Sequence, residues 1–459
     1  MLDLLRSNQV TFIFAFFSIA FYVSFGYDLD RIDFIKLILL IAALFFSAYK
    51  IIQTGSSDFW LLAGLGIIFR LLFFGSIPNL SQDFYRFLWD GRLLVQGINP
   101  YLIAPEAYVQ SGIEVVPQMQ ELYRGMGALN ASHFSNYPPV NQFFFAIAAL
   151  FSGKSILGSL IVLRSIMLAA DVGILFIGRK LLIQLGLDPK KIFWYFLNPF
   201  IIIEMSGNLH FEGVMLLFLL GSLYLLHHGK WLMAATLLGI SISVKLIPLL
   251  FLPLLYRYFV KEGLFSKGFW KLKKFFWMVI LIVLVSFAPF ISSEFVSNFA
   301  TTISLWFQVF EFNASVHYII RWIAFEFVGW NLIETTGKIF PILIFIVVLA
   351  LAFFRKNTTT QQLITSMLFA VSFYLLLSTT VHPWYIATPL LLSIFTRYQF
   401  SILWSLLVML SYSAYTVAGV DENLWIIAFE YLAVIGFLIW ELFQHTANPQ
   451  TPSEYLRNI

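Results

Sequence analysis

Residues 81–92, Ser81-Gln82-Asp83-Phe84-Tyr85-Arg86-Phe87-Leu88-Trp89-Asp90-Gly91-Arg92, bring two carboxylates and two guanidinium groups together in a chain that elsewhere carries little charge. Asp83 and Asp90 are seven residues apart, which on a helix puts them on one face, beside Arg86 and within a turn of Tyr85. A carboxylate at the rim of an apolar cavity has its pKa raised towards neutrality and can act as a general base. The plainer alternative is that both acids pair with Arg86 and Arg92 and hold the segment together. Gly97-Ile98-Asn99-Pro100-Tyr101 follows, and Gly97 with Pro100 should end the helix. With Tyr85, Trp89, Tyr101 and Tyr108 in it, the segment is too aromatic for disorder, so it reads as a folded site.

Four further groups carry chemistry. Asn136-Tyr137-Pro138-Pro139 has two residues that cannot donate backbone hydrogen bonds, which suits a helix start where donors are unpaired anyway. Glu204, Asn208 and His210 fall at a break between two apolar runs, and an ionisable group at membrane depth is costly enough to be a functional candidate. As a metal site this pair of Glu and His lacks a third ligand nearby. Lys245 interrupts an apolar run, either snorkelling to the surface or supplying a cation for a phosphate. His382-Pro383-Trp384-Tyr385 stands between two further runs, and Asn313, His317 and Arg321 on another loop could complete a cavity.

These groups need a scaffold, and composition says which kind. The chain is 60% hydrophobic and 11% charged, against about a quarter charged in soluble domains, so it belongs to the membrane class. Its net charge of +4 is gathered in a few loops, which argues for membrane topology and against nucleic acid. The absence of cysteine excludes disulfides, thiolate metal sites and a Cys nucleophile. The first apolar run, 10–27, has no small-residue cleavage site and reads as a signal anchor.

Apolar runs near spanning length occur at about 10–27, 34–53, 59–77, 156–178, 192–206, 213–226, 231–245, 247–259, 275–291, 338–354, 361–380, 384–396, 400–418 and 424–442. The expected fold is all-α and polytopic, with about 12–14 transmembrane helices. Arg179, Lys180, Lys190 and Lys191 mark one cytoplasmic loop. Arg257, Lys261, Lys267, Lys271, Lys273 and Lys274 mark a second, and Arg355 with Lys356 a third. The run 140–151 is about 18 Å of helix against a hydrocarbon core of about 30 Å, and reading it as re-entrant keeps every basic cluster inside. The polar segments 78–139, 207–212, 292–333, 381–383 and 419–423 then share the extracytoplasmic side of a cell membrane. Residues 1–445 read as one domain, with 446–459 a flexible cytoplasmic tail.

Together these residues resemble the GT-C superfamily of polytopic glycosyltransferases. The resemblance is closest to polyprenol-phosphate-mannose-dependent mannosyltransferases: GPI mannosyltransferase I and the bacterial family 87 enzymes. In that group an acid in the first large outer loop precedes an Arg and a Gly-x-x-Pro-Tyr, here Asp83, Arg92 and Gly97 to Tyr101. Tyr137-Pro138-Pro139, Asn198-Pro199, Gly207-Asn208-Leu209-His210, Lys245 with Pro248, and His382-Pro383-Trp384 are similar to its other landmarks.

The resemblance implies a GT-C architecture whose large outer loop carries amphipathic helices, and inverting transfer of a hexose, mannose foremost. The donor would be a polyprenyl-phosphate sugar and the acceptor a glycan or glycolipid in contact with membrane lipid. Asp83 is then the base, Lys245 with His382 and Arg321 bind the donor phosphate, and Asp90, Arg86, Arg92, Tyr101, Tyr137, Glu204, Asn208, His210 and Trp384 bind substrates. The eukaryotic members carry Asp-x-Asp where this chain has Ser81-Gln82-Asp83, which weakens the case for a divalent cation. The rival classes are a lipid-linked saccharide flippase, which should show internal repeats and midplane polar groups, and a polysaccharide polymerase or ligase.

Overall fold

The computed structural model describes residues 8–55, 58–261 and 266–447; the tail after 447 lies outside them. Among the described residues the protein is all-α except for a small hairpin, Tyr415–Thr416 with Gly419–Val420, and one bridge between Phe312 and Thr380. Six helices are long and apolar enough to cross a membrane: Gln9–Asp28, Phe34–Thr54, Ile156–Gln184, Lys267–Phe290, Ile333–Phe353 and Leu424–His445. The pair Pro199–Gly207 and Glu212–His227 makes a seventh if its 113° bend is counted within one span. The other expected runs appear as shorter apolar helices, including Phe59–Leu71, Trp231–Val244 and Thr360–Leu376. The chain is an all-α polytopic membrane protein.

Local chemistry sets the helix limits. Asp58 accepts from Trp60 N and Leu61 N, Ser155 from Gly158 N, and Thr359 with Gln362 forms a reciprocal capping box, each satisfying donors that a helix start leaves open. The long helices keep large apolar side chains on their outer faces, with Phe16 70% and Trp277 67% exposed, as lipid-facing surfaces require.

The buried polar groups lie where helices meet. Arg70 and Asp171 form a fully buried ion pair at 2.7 Å, and Arg70 also donates to Phe196 O at 2.8 Å. Arg164 donates to Ser206 O (2.9 Å), Gly207 O (3.0 Å) and Ser76 O (2.6 Å). The Ser206 and Gly207 carbonyls lie at the bend, where a wide π-type turn, Ile202–Gly207, replaces regular helix. Without such a donor a broken span would leave them unpaired in a medium that cannot hydrate them. The expected run at 192–206 is thus a series of short turns, not a helix.

The helix Asp83–Val95 carries the loop chemistry. It ends as the spacing predicts: Ile98 N bonds Leu93 O and Gly97 N bonds Leu94 O, with Gly97 at φ 75°. Its inner face packs on Pro139–Ser152, which starts at the second of the two prolines. The rings of Phe87 and Phe145 stack at 4.6 Å, and a Cβ on Gly91 would stand 2.2 Å from Phe145 O. Only glycine permits that approach.

Candidate active site

Asp83 and Asp90 leave the same helix but meet different surroundings. Asp90 is fully buried and accepts from Arg86 Nε (2.8 Å), Ser135 Oγ (2.5 Å) and Gln142 Nε2 (2.9 Å). Arg86 also donates to Asn130 O and His133 O. Arg92 bonds Pro117 O, Gln118 Oε1 and Lys154 O, and Tyr101 is buried with its hydroxyl on Tyr137 O at 2.6 Å. Asp90, Arg86, Arg92 and Tyr101 therefore tie the loop together, with Asp90 paired to Arg86 and not to Arg92.

Asp83, at the first turn of the helix, is half-buried and accepts from Asn130 Nδ2 at 3.2 Å. Burial pushes its carboxyl above the usual range; the Asn130 bond and the charges of Lys245 and Arg31 oppose that shift, with Tyr137 close by. It makes no ion pair with Arg86 or Arg92 among the described residues.

Lys245 terminates the helix Trp231–Val244, and its Nζ is ion-paired with Glu212, whose carboxylate is fully buried at the start of the helix after the bend. The ammonium also faces the ring of Tyr385 at 5.9 Å. Two histidines stack on Trp384: His210 with ring centroids 3.5 Å apart and His382 at 4.5 Å. Burial and then the Lys245 charge push His382 down to about 3, so at neutral pH it can offer a phosphate a hydrogen bond but no charge. Glu204 accepts from Tyr412 OH at 2.8 Å and from Asn208 Nδ2 at 3.4 Å, with His210 Nε2 3.6 Å away.

The bend, the end of the Lys245 helix, the His382 segment and the loop helix thus gather Asp83, Tyr137, Glu204, Asn208, His210, Lys245, His382 and Trp384. Arg321 stands elsewhere. It pairs with Glu311 at 2.7 Å, alongside His317 and Asn331, and no contact among the described residues links it to Lys245. Burial pushes Glu311 up, yet His317 and Arg321 outweigh it and hold the carboxyl below its usual range. This cluster reaches the site through Phe312, whose backbone pairs with Thr379 and Val381 and whose ring lies 5.2 Å from His382.

Sequence reasoning missed two groups. Glu212 was visible as the second acid flanking His210, and a lysine inside an apolar run needs such a counter-charge. Arg31, on the short loop after the first span, donates to Leu80 O at 3.2 Å and lies 4.0 Å over the Tyr415 ring. No local pattern pointed to it. Among the described residues no group of three or more His, Asp or Glu side chains is arranged to hold a metal ion.

The polytopic all-α scaffold thus brings an acid, a cation and stacked aromatic rings into one cluster. Residues 37–261, just under half of the chain, match the family described as alpha-(1->6)-mannopyranosyltransferase, N-terminal domain, and include Asp83, Glu204, His210, Glu212 and Lys245. The chain is 21% identical over 331 residues to alpha-(1->6)-mannopyranosyltransferase A of Mycobacterium tuberculosis, covering 69% of this chain and 61% of that relative. It is 26% identical over 175 residues to alpha-(1->6)-mannopyranosyltransferase B of Corynebacterium glutamicum, covering 36% of this chain and 27% of that relative. The chain therefore spans less than two thirds of the length of either relative.

Proposed function

We propose that the protein is an inverting mannosyltransferase that moves the sugar from a polyprenyl-phosphate donor to a hydroxyl of a glycan or glycolipid, at the extracytoplasmic face of the membrane. The observation that carries this reading is the meeting of Asp83 with Lys245 in one cluster: a carboxyl raised by burial, within reach of a cation's charge. Both relatives are alpha-(1->6)-mannopyranosyltransferases, which supports mannose as the sugar.

In this mechanism the acceptor oxygen attacks the anomeric carbon while the bond from that carbon to the phosphate oxygen breaks. The acceptor proton passes to Asp83, and the bonding pair leaves with the lipid phosphate. The leaving group needs no proton but gains negative charge, which Lys245 offsets, with His382 as a neutral donor beside it. The His210–Trp384–His382 stack offers a flat wall for a sugar ring, and Asn208 with Glu204 can orient its hydroxyls. The positive-inside pattern favours the extracytoplasmic side for this cluster.

The reading is tested in membranes offered radiolabelled polyprenyl-phosphate mannose, glucose and arabinose in parallel. Label should enter acceptor from the mannose donor. Absence of transfer from all three donors would remove the proposal.

A further inference from the structure

The charges around Asp83 do not balance for a departing phosphate. Lys245 is already paired with Glu212, so on its own it answers only part of the charge a departing phosphate carries. The donor phosphodiester carries one negative charge, whereas a phosphate monoester carries about −1.5 to −2 at neutral pH. The site therefore needs more positive charge at the end of the reaction than at the start. His382 and His210 stack on Trp384 and do not answer that need.

Arg31 can. It lies on the 29–33 loop and is half-buried; among the described residues it forms no ion pair, while its neighbours Asp28 and Lys36 pair with one another at 2.6 Å. Its guanidinium carbon lies over the Tyr415 ring, 4.0 Å from the centroid, and the group is anchored by one hydrogen bond to Leu80 O. Leu80 in turn donates its own N–H to Asn208 Oδ1 at 3.3 Å, which ties this loop to the Glu204–His210 side of the cluster. An arginine stacked on a ring and bonded to one carbonyl retains edge donors in the fork that suits phosphate.

We propose that Arg31 is the second cation of the phosphate site and binds the lipid phosphate most strongly as it leaves. This rests on the reading of Lys245 as the donor-phosphate cation. Lys245 with Glu212 receives the singly charged donor, and Arg31 takes up the charge that bond cleavage adds. Arg31 is then a residue of turnover more than of donor capture.

The test uses the full-length protein in detergent or nanodiscs, with two probes: a polyprenyl phosphate, which is the leaving group, and polyprenyl-phosphate mannose. Arg31→Gln should lower turnover about 10²-fold, the scale for removing one group that stabilises developing charge. It should weaken polyprenyl phosphate several times more than the mannose donor. Arg31→Lys should recover part of both, as a point charge without the fork; it also carries the test if the Gln variant fails to fold. Lys245→Ala run alongside separates the two readings. If it loses both probes while Arg31→Gln keeps both affinities and its turnover, the inference falls and the donor reading stands. If Arg31→Gln raises only the acceptor KM, Arg31 is an acceptor contact and the inference falls. If neither variant affects phosphate binding, both fall together.

Discussion

Asp83 and Asp90 lie on one helix face two turns apart, yet Asp90 is fully buried with three hydrogen-bond partners while Asp83 stays half-buried beside Asn130 and the charge of Lys245. The same residue type on the same helix face thereby meets two different environments, and the proposed mechanism gives chemistry to Asp83 alone. Replacement should show it. Asp83→Asn should lower transfer roughly 10²–10⁴-fold with donor binding kept, the range for loss of a general base. Asp90→Ala should act on stability instead, at about 3–5 kcal/mol for a broken buried pair, seen as a lower unfolding midpoint in detergent. Near-normal turnover in Asp83→Asn would reassign the base.

The pH profile carries a second prediction. As the proposed base Asp83 works deprotonated, and burial raises it, so activity should fall with acid at a pH above the ordinary carboxylate range. Asn130 stabilises the charged form, so Asn130→Leu should raise Asp83 further and move the acid limb of kcat/KM to higher pH. A limb that stays in place would show that Asp83 does not govern it.

Lys245 and Glu212 form a test of buried charge. Lys245→Met should abolish donor binding and also destabilise the fold by leaving Glu212 uncompensated. The cost should fall below the roughly 3–5 kcal/mol of a fully buried pair, since Lys245 is 17% exposed. Adding Glu212→Gln should restore stability without restoring donor binding. A double variant that binds donor normally would make the lysine merely structural.

Orientation can be read directly, because the chain has no cysteine of its own. Glu114 is exposed on the loop between the Asp83 helix and the prolines. A cysteine placed there should react with an impermeant maleimide in intact cells. Labelling only after membrane rupture would invert the topology and move the proposed site to the cytoplasm.

The fold class was legible in the apolar runs, and Lys245, Glu204 and His210 stood out as ionisable residues within or between them. The helix end at Gly97 and the start at Pro139 were legible because those residues restrict backbone geometry. What was hidden depends on distance in the chain. Asp90 finds Ser135 and Gln142 more than 40 residues away, so its burial could not be read from the neighbouring arginines. Arg70 and Asp171 are 101 residues apart, each a charge in an apolar run with nothing nearby in sequence to mark its partner. Arg321 looked available only because its partner Glu311 lies ten residues back, across a turn.

The contact between Gly91 and Phe145 limits what can move during turnover. With backbone touching backbone there, the helix that carries Asp83 has no room to swing as a lid, and lifting it would unseat a neighbouring apolar helix. As the proposed base, Asp83 would be a fixed point to which donor and acceptor come, and the search for gating should turn to segments that lack such a clamp.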